Sequence, residues 1–333
     1  MTIASVAFPN ALSLAQTPTP LQALDRLSAS LGGPRIWIKR DDLTGSHLSG
    51  NKIRKLEFVL AEAQQQGCDT LITCGGLQSN HCRATALLGA QLGLKVQLIL
   101  RGTPEGQADG NLFLDHLAGA NVACYPTKEY VKNLDALFAH WQTHYREQGS
   151  KAFVIPTGAS DEIGVWGYIQ CARELKADFA QHQIDPELIV CATGSGGTQA
   201  GLTAGASLFE LNAQVIGMAV CDNSDYFKHK VREDLDAWQH RYQVELDLDA
   251  LSIVTNDDYM GPAYGVAAPE HIDAIQLLAK LEGIVLDPVY TGKAFAGLLG
   301  EIKSGRWSSY SDVVFVHTGG IFGLFPQKGE FIF

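Results

Sequence analysis

Strands and helices alternate along almost the whole chain, and this alternation limits the possible folds more than any other feature. Short apolar runs at 70–74, 95–100 and 188–192 are typical of buried strands, and the segments 53–66 and 80–92 have the spacing of helices. Strands that alternate with helices form parallel sheets covered by helices on both faces. We therefore expect an α/β protein with doubly wound parallel sheets, whose ligands bind at the carboxyl ends of the strands.

Length and charge set further bounds. A chain of 333 residues, of which 46% are hydrophobic, is long enough for two domains with buried cores. We expect a small domain at 52–158 and a large domain formed by 1–51 and 159–333, with crossings near Asn51 and Gly158. The net charge of −11 argues against nucleic acid or an anionic membrane as a partner.

The cysteines and the N-terminus indicate the compartment. Seven cysteines, an odd number without paired spacing, are expected to be reduced thiols in a cytoplasmic protein. The N-terminus lacks the basic start and apolar run of a signal peptide, and no apolar run approaches the roughly 18 residues of a membrane span. We therefore expect neither secretion nor a span.

Two lysines stand at a predicted helix start. Residues 50–55 read Gly-Asn-Lys-Ile-Arg-Lys, which places Lys52 and Lys55 on one helix face. The positive end of a helix disfavours cations unless an anion or a covalent bond compensates. One lysine could carry a Schiff base while the other neutralises a phosphate. The alternative is that both are ordinary solvated lysines.

A glycine-rich turn follows the strand at 188–192. Residues 193–198 read Thr-Gly-Ser-Gly-Gly-Thr and precede a helix rich in small residues. Free N–H groups and the helix dipole at such a turn favour an anion. A dinucleotide fingerprint would need a third glycine at Gln199, and no Lys-Ser or Lys-Thr completes a Walker loop. A single phosphate beside Ser195 and Thr198 fits best; the alternative is a turn without a ligand.

Two further segments carry polar groups next to predicted strands. Ser79, Asn80 and His81 open the helix at 80–92, where Ser79 is either an ordinary N-cap or a ligand-binding hydroxyl. His81 and Cys82 are not followed by a second ligand pair, so we expect no metal. Tyr290 follows the segment Leu286-Asp287-Pro288-Val289 before a helix, and taken alone it is more typical of packing than of chemistry.

Taken in order, the motifs Gly-Asn-Lys-x-Arg-Lys, Gln-Ser-Asn-His, Thr-Gly-Ser-Gly-Gly-Thr, Asp-Pro-Val-Tyr-Thr-Gly-Lys and His-Thr-Gly-Gly form a specific pattern. The pattern resembles the pyridoxal-phosphate (PLP) enzymes of the tryptophan-synthase β type. Within them it is similar to the D-cysteine desulfhydrase and 1-aminocyclopropane-1-carboxylate (ACC) deaminase family. The resemblance extends from about residue 17 to about residue 323, and it implies the same two-domain α/β fold, the cofactor PLP and a homodimer.

The resemblance also implies roles for individual residues. It makes Lys52 the Schiff-base lysine, rather than the competing Lys39, for which ion pairing is expected. The phosphate would lie near Lys55 and the glycine-rich turn, and Asn80 would bond the 3′ oxygen of the ring. The substrate carboxylate would be held by Ser79, Asn80 and His81, and two active-site tyrosines are implied, Tyr290 and Tyr264. The phosphate-binding residues of the turn are Gly194, Ser195, Gly196, Gly197 and Thr198.

Two positions discriminate between substrates. Where the ACC deaminases of the family carry glutamate and leucine, this chain has Thr291 and Thr318, both expected near the cofactor. Glutamate keeps the ring nitrogen protonated, whereas threonine leaves it neutral and the electron sink weaker. A weaker sink suffices when the substrate has a labile α-proton and a good β leaving group. The expected reaction is therefore β-elimination from a cysteine-like amino acid, and the resemblance names D-cysteine.

Several alternatives stay open. Within the family, an ACC deaminase or a lyase acting on another β-substituted amino acid is possible. An NAD-dependent oxidoreductase lacks its third glycine. A non-catalytic PLP-binding protein would keep the cofactor but lose the proton-handling residues, whereas Lys52, Ser79 and Tyr290 are all present. A purely structural role has no support in these motifs.

Overall fold

The computed structural model describes residues 6–332. Its strands are β1 (Leu21–Ala23), β2 (Arg35–Lys39), β3 (Thr70–Gly76), β4 (Lys95–Arg101), β5 (Asn121–Tyr125), β6 (Ala152–Val154), β7 (Leu188–Thr193), β8 (Gln214–Ala219), β9 (Val254–Asn256) and β10 (Asp312–Val316). Its α-helices are α1 (Asp25–Leu31), α2 (Lys52–Gln65), α3 (Asn80–Leu92), α4 (Gly110–Leu117), α5 (Thr127–Glu147), α6 (Trp166–His182), α7 (Gly197–Leu208), α8 (Ser224–Tyr242), α9 (Pro269–Glu282) and α10 (Thr291–Lys303).

The strands form two sheets. The larger has the order β1-β2-β10-β7-β8-β9 and the smaller the order β5-β4-β3-β6. Every strand pair is parallel except β1 with β2. β7 is buried along its whole length, as expected of a strand covered by helices on both faces. The prediction of an α/β protein with two parallel sheets is confirmed.

The order of strands reverses once in each sheet. In the larger sheet the reversal lies between β7 and β10, and in the smaller sheet it lies between β3 and β6. Neighbouring crossovers leave the sheet on opposite faces at such a point, which opens a crevice at the carboxyl ends of the two strands. The segments that follow β3, β6, β7 and β10 are therefore where a ligand is expected.

The boundaries of several elements differ from the prediction. The helix predicted at 162–181 begins at Trp166, because the Asp161 carboxylate accepts the N–H groups of Ile163 and Gly164 and holds them in a turn. The last helix begins at Thr291, inside the segment predicted to precede it. The short elements β1, α1 and β9 were not predicted, because three to seven residues carry little periodic signal.

Helix α2 connects the two sheets. It packs against α6 on one side and α3 on the other, and Ile53 and Phe58 join a core that also contains Trp166 and Trp238. The four strands of the smaller sheet all lie within 70–154, inside the small domain predicted from the sequence, although that division stays a prediction. Residues 1–5, which include the start of the expected large domain, and residue 333 lie outside the described residues. No helix between residues 6 and 332 has the length and apolarity required to cross a bilayer.

Candidate active site

A cavity of about 350 Å³ opens where the two strand reversals face each other. Segments after β3, β6, β7 and β10 all contribute to its wall, as the topology predicts. The volume lies within the range of about 300–1,000 Å³ that is common for small-molecule sites.

The cavity brings most of the predicted site residues together. Eleven of them line it: Lys52, Ser79, Asn80, His81, Gly194, Ser195, Gly196, Thr198, Tyr264, Tyr290 and Thr318. Three others do not line it, namely Lys55, Gly197 and Thr291. Lys39, the competing lysine, pairs instead with Asp178 at 2.7 Å and Glu174 at 3.2 Å, as expected.

Lys52 is the first residue of α2, and its amine lies against the loop after β6. A Cβ at Gly158 would stand 3.2 Å from Lys52 Nζ and 2.5 Å from Ser195 Oγ, and the φ of +68° also favours glycine there. Burial lowers the pKa of Lys52 to about 8, with an opposing contribution from Cys82. About a tenth of the amine is therefore uncharged at pH 7, far more than for an ordinary lysine, and the uncharged form is the one that a nucleophile or base requires.

Lys55 lies behind the glycine-rich turn. It is fully buried, and its Nζ donates to Gly158 O at 3.0 Å and to Ser160 Oγ at 3.1 Å. Burial lowers its pKa well below the usual value, and the nearby Lys52 lowers it further. Among residues 6–332 no carboxylate forms an ion pair with it. The site therefore holds a buried amine that an anion in the cavity would help to charge.

Ser160 connects Lys55 to the turn. Its Oγ also accepts from the Gly197 N–H at 3.1 Å, so the Gly197 amide is already occupied. With both lone pairs used, the Ser160 hydroxyl donates to Ser195 Oγ at 2.8 Å. Ser195 consequently keeps its own proton for a ligand.

The rest of the turn presents donors to the cavity. Thr198 Oγ1 accepts from Asn51 Nδ2 at 3.0 Å and so also keeps its proton. The N–H of Thr198 lies in the first turn of α7, where no intrahelical acceptor exists. Thr193 Oγ1 is buried beside the cavity, and none of the described residues hydrogen-bonds to it. Three hydroxyls and a helix start are thus available to an anionic ligand.

Arg83 orients the side chain of Asn80. Arg83 Nη1 donates to Asn80 Oδ1 at 3.2 Å and to Asn111 Oδ1 at 2.9 Å, and Asn111 Nδ2 donates to Asn80 Oδ1 at 3.1 Å. Because a guanidinium only donates, the side-chain atoms of Asn80 and Asn111 that face it must be their amide oxygens. The Asn80 NH₂ group therefore faces away from this network and is free to donate to a ligand. Ser79 is the N-cap, since its Oγ accepts from Cys82 N at 3.1 Å, and it also lines the cavity.

His81 is held in one tautomer. Thr73 donates its only hydroxyl proton to Ile155 O at 2.8 Å, so its oxygen accepts from His81 Nε2–H, also at 2.8 Å. Burial lowers the pKa of His81 well below its usual value, with smaller contributions from Lys52 and Lys55. The buried Nδ1 is thus an acceptor, and no described residue bonds to it. A carboxylate could be bound by the backbone N–H of His81 but not by its side chain.

Tyr264 and Tyr290 form a hydroxyl pair at the cavity wall. Their hydroxyl oxygens are 2.5 Å apart, and burial raises both pKa values. Asp287 fixes the backbone of Tyr290, because its Oδ2 accepts the Tyr290 N–H at 3.0 Å. A Cβ at Gly194 would lie 3.0 Å from the Tyr290 ring, so glycine is needed for this approach. Protonated hydroxyls here can donate to a leaving group.

The two discriminating threonines differ in position. Thr318 lines the cavity after β10, and Thr291 is buried at the start of α10. The close approach of Gly50 and Gly319 holds the Thr318 segment in place, since a Cβ at Gly319 would lie 2.6 Å from Gly50 Cα. Of the two, Thr318 is therefore the one able to contact a ligand.

Sequence reasoning missed several wall residues, among them Arg101, Tyr130, Cys221 and Asp222. Arg101 ends β4, and Cys221 and Asp222 follow β8, so each stands at the carboxyl end of a strand that was predicted. Their position at the ends of predicted strands was the signal by which the sequence could have indicated these wall residues. No group of three or more potential metal ligands exists within residues 6–332.

The chain is similar to known proteins over nearly its whole length. The family model described as pyridoxal-phosphate dependent enzyme matches residues 12–319. A putative ACC deaminase of Thermotoga maritima is 43% identical over 96% of this chain and 99% of that protein. A D-cysteine desulfhydrase of Yersinia pestis is 41% identical over 96% of each chain.

Two further similarities cover nearly the whole chain. A bifunctional D-cysteine desulfhydrase/ACC deaminase of Arabidopsis thaliana is 41% identical over 96% of this chain and 80% of that protein. The crystal structure of an ACC deaminase homologue superposes with a TM-score of 0.86 at 34% identity, over 96% of this chain and 95% of the other. The family resemblance and the fold predicted from the motifs are thereby confirmed.

Proposed function

Because the chain belongs to the pyridoxal-phosphate-dependent enzymes, in the family of the D-cysteine desulfhydrases and ACC deaminases, we propose that it is a lyase that converts D-cysteine to pyruvate, sulfide and ammonia by β-elimination. The observation that carries the choice of reaction is that this chain has threonine at both positions where the ACC deaminases of the family carry glutamate and leucine, Thr291 and Thr318, so neither position supplies a carboxylate. Of the two, Thr318 places its hydroxyl in the cavity at the end of β10. A hydroxyl does not hold a proton on the ring nitrogen as a carboxylate would. Such a site suits a substrate with an acidic α-proton and a good leaving group.

The residues of the cavity fit PLP. Thr193 Oγ1 and His81 Nδ1 are buried polar atoms without a partner among the described residues, and Lys55 has no counterion there. A bound phosphate ester would accept from Ser195, Thr198 and the start of α7, and its charge would compensate Lys55. When bound, the cofactor withdraws electrons from the substrate α-carbon.

Lys52 has the central role in this proposal. With PLP bound, its amine would hold the cofactor aldehyde, and it is the group of the cavity suited to accept the α-proton of the substrate. The Asn80 NH₂ group would donate to the ring oxygen of the cofactor, and Ser79 with the His81 backbone N–H would hold the substrate carboxylate. Breaking the Cβ–S bond releases sulfide, to which the Tyr264 and Tyr290 pair can supply a proton. Water then hydrolyses the released enamine to pyruvate and ammonia.

The experiment is a direct comparison of substrates on the PLP-loaded protein. We expect sulfide release from D-cysteine to exceed ring opening of ACC, and L-cysteine serves as the stereochemical control. The Lys52→Ala variant should lose activity by at least the factor of about 10²–10⁴ that a general base contributes, while the exposed-lysine control Lys303→Ala keeps it. Faster opening of ACC would favour the alternative, an ACC deaminase such as the Thermotoga relative is named. Release of neither product would leave a lyase acting on another β-substituted amino acid, or a non-catalytic PLP-binding protein.

The remaining assignments are also proposals. We place the protein in the cytoplasm, divide it into domains at 52–158 and 1–51 plus 159–333, and expect a homodimer. Support for an interface comes from α4, where Phe113 and Leu117 stand one turn apart with about half and two thirds of their surfaces exposed. Sedimentation velocity of the wild type and of Leu117→Ser tests the dimer, because a polar side chain at the interface should shift the equilibrium toward monomer.

A further inference from the structure

Arg101 is a cation in the cavity wall to which the proposed mechanism gives no role. It is the last residue of β4, paired in register with Gly76 of β3, and both residues line the cavity. Its guanidinium carbon lies 5.1 Å from the ring centre of Tyr264 and 5.9 Å from that of Tyr130. Among residues 6–332 no carboxylate forms an ion pair with it and no side-chain hydrogen bond engages it.

The position of Arg101 places it on the substrate side of the cavity. A Cβ at Gly76 would lie 3.9 Å from the Tyr264 ring, so Gly76, Tyr264 and Arg101 form one continuous wall. The Tyr264 hydroxyl in turn bonds to that of Tyr290. The glycine-rich turn, where a phosphate is expected, is built from a different sheet. Arg101 therefore adjoins the tyrosine pair proposed to face the leaving group.

The charge of Arg101 is not satisfied by its surroundings. Two aromatic faces attract a guanidinium by about 0.5–2 kcal/mol. They offer no hydrogen-bond acceptor to its N–H groups. Asp222 is the one carboxylate among the lining residues; it is exposed, and it forms no ion pair with Arg101. A planar, partly desolvated guanidinium with free donors is the group best suited to bind a carboxylate through two hydrogen bonds.

We propose that Arg101 is a specificity-determining residue, which recognises an anionic oxygen group on the β-substituent of the substrate. The inference rests on the proposed β-elimination and names the substrate class more closely: amino acids whose leaving thiolate carries a carboxylate. The chemistry is unchanged, since the α-proton goes to Lys52, the Cβ–S bond breaks, and the carboxylated thiolate leaves. No oxidant or other co-reactant is needed.

A matched pair of substrates isolates the charge. D-configured S-carboxymethyl-cysteine and its primary amide have nearly the same shape and differ in one negative charge. One charge-assisted contact should give the carboxylate a kcat/KM advantage of about 10–100-fold. Arg101→Gln should remove the advantage, Arg101→Lys should keep part of it, and the exposed-arginine control Arg146→Gln should leave it unchanged. D-cysteine, which lacks the extra charge, is the reference substrate: the ratio of kcat/KM between the amide and D-cysteine should be the same in the wild type and in all three variants.

Two results would overturn the assignment. One is an equal preference of the wild type for the two substrates. The other is a rise in KM of Arg101→Gln that is the same for both substrates and for D-cysteine, because the guanidinium would then bind the α-carboxylate. Calorimetric binding of the pair to Lys52→Ala, with and without Arg101→Gln, gives the charge preference without turnover. That measurement separates a failure of this inference from a failure of the lyase proposal.

Discussion

The hydroxyl of Thr291 donates a hydrogen bond to the carboxylate of Asp287 over 2.7 Å, and the pair closes the start of α10. The same hydroxyl accepts from the Asp287 N–H at 2.8 Å, and the Thr291 N–H donates to Asp287 Oδ1 at 2.8 Å. These bonds use the proton of the Thr291 hydroxyl and one of its lone pairs, and both partners belong to Asp287. Thr291 is therefore part of the support for Tyr290, and Thr318 provides the hydroxyl in the cavity.

Because Thr291 supports the helix start and Thr318 lines the cavity, the same threonine-to-valine substitution should have different effects at the two positions. Thr291→Val should lower the free energy of unfolding by about 1–2 kcal/mol, because a buried carboxylate and a buried N–H lose a partner. Thr318→Val should leave stability nearly unchanged but shift the visible spectrum of bound PLP. Urea unfolding and absorption spectra of both variants check this. Equal spectral shifts in the two would contradict it.

The depressed pKa of Lys52 predicts a pH dependence of cofactor loading. The buried amine is protonated below about pH 8 and neutral above it, and only the neutral form attacks an aldehyde. The rate of PLP binding to the apo protein should therefore rise about tenfold per pH unit below pH 8 and level off above it. Stopped-flow absorbance measures the rate. Pyridoxine 5′-phosphate, which lacks the aldehyde, is the control, and its binding rate should not rise with pH in this way. A midpoint of the pH profile near 10 would show that the amine is not desolvated.

The bond between Asn111 and Asn80 predicts an indirect effect on the cofactor. If Asn111 acts by orienting the Asn80 amide, Asn111→Ala should weaken PLP affinity about 5–10-fold, the cost of a misdirected hydrogen bond. In the Asn80→Ala background the same substitution should have almost no further effect. Dissociation constants of the two single variants and the double variant, measured by fluorescence titration, complete the cycle. Additive losses would mean that Asn111 acts independently of Asn80.

Asp115 predicts a pH dependence of stability. Both of its carboxyl oxygens are buried without a partner among the described residues, and burial raises its pKa to about 8, against an opposing effect of Arg83. Between about pH 4 and pH 8 the folded protein holds a proton that the unfolded chain has lost. The stabilising contribution is thus complete below about pH 4 and is lost as the pH rises through 8.

Asp115→Asn should remove this loss, since an amide has no proton to release in that range. The variant should match the wild type near pH 4 and be more stable than it at pH 8, as denaturant unfolding across the range would measure. Asp273→Asn, on an exposed position of α9, should leave the pH profile of stability unchanged. A constant difference between Asp115→Asn and the wild type at all pH values would refute the assignment.

The sequence predicted the fold and much of the cavity for a physical reason. Parallel strands have their carboxyl ends at one edge of a sheet, so the motifs after the neighbouring strands β7 and β10 had to converge once those strands were recognised. The motif after β3 lies at the corresponding edge of the other sheet, and its approach to the first two depends on how the two sheets pack. Side-chain direction was not predictable in the same way. Lys55 is turned behind the glycine-rich turn by Ser160, a residue about 100 positions away in the chain, and Thr291 is turned away from the cavity by Asp287. Such contacts depend on tertiary packing rather than on local spacing.

The position of β10 in the larger sheet has a consequence for the synthesis of the protein. β10 is the last strand of residues 6–332, and it fills the gap between β2 and β7, two strands made much earlier. The smaller sheet comes from one continuous stretch and can form while translation continues. The larger sheet must keep a vacant central place until residue 316 has left the ribosome. The nascent chain therefore gains its complete binding site only after β10 has been made, and truncation before β10 would yield a protein without one.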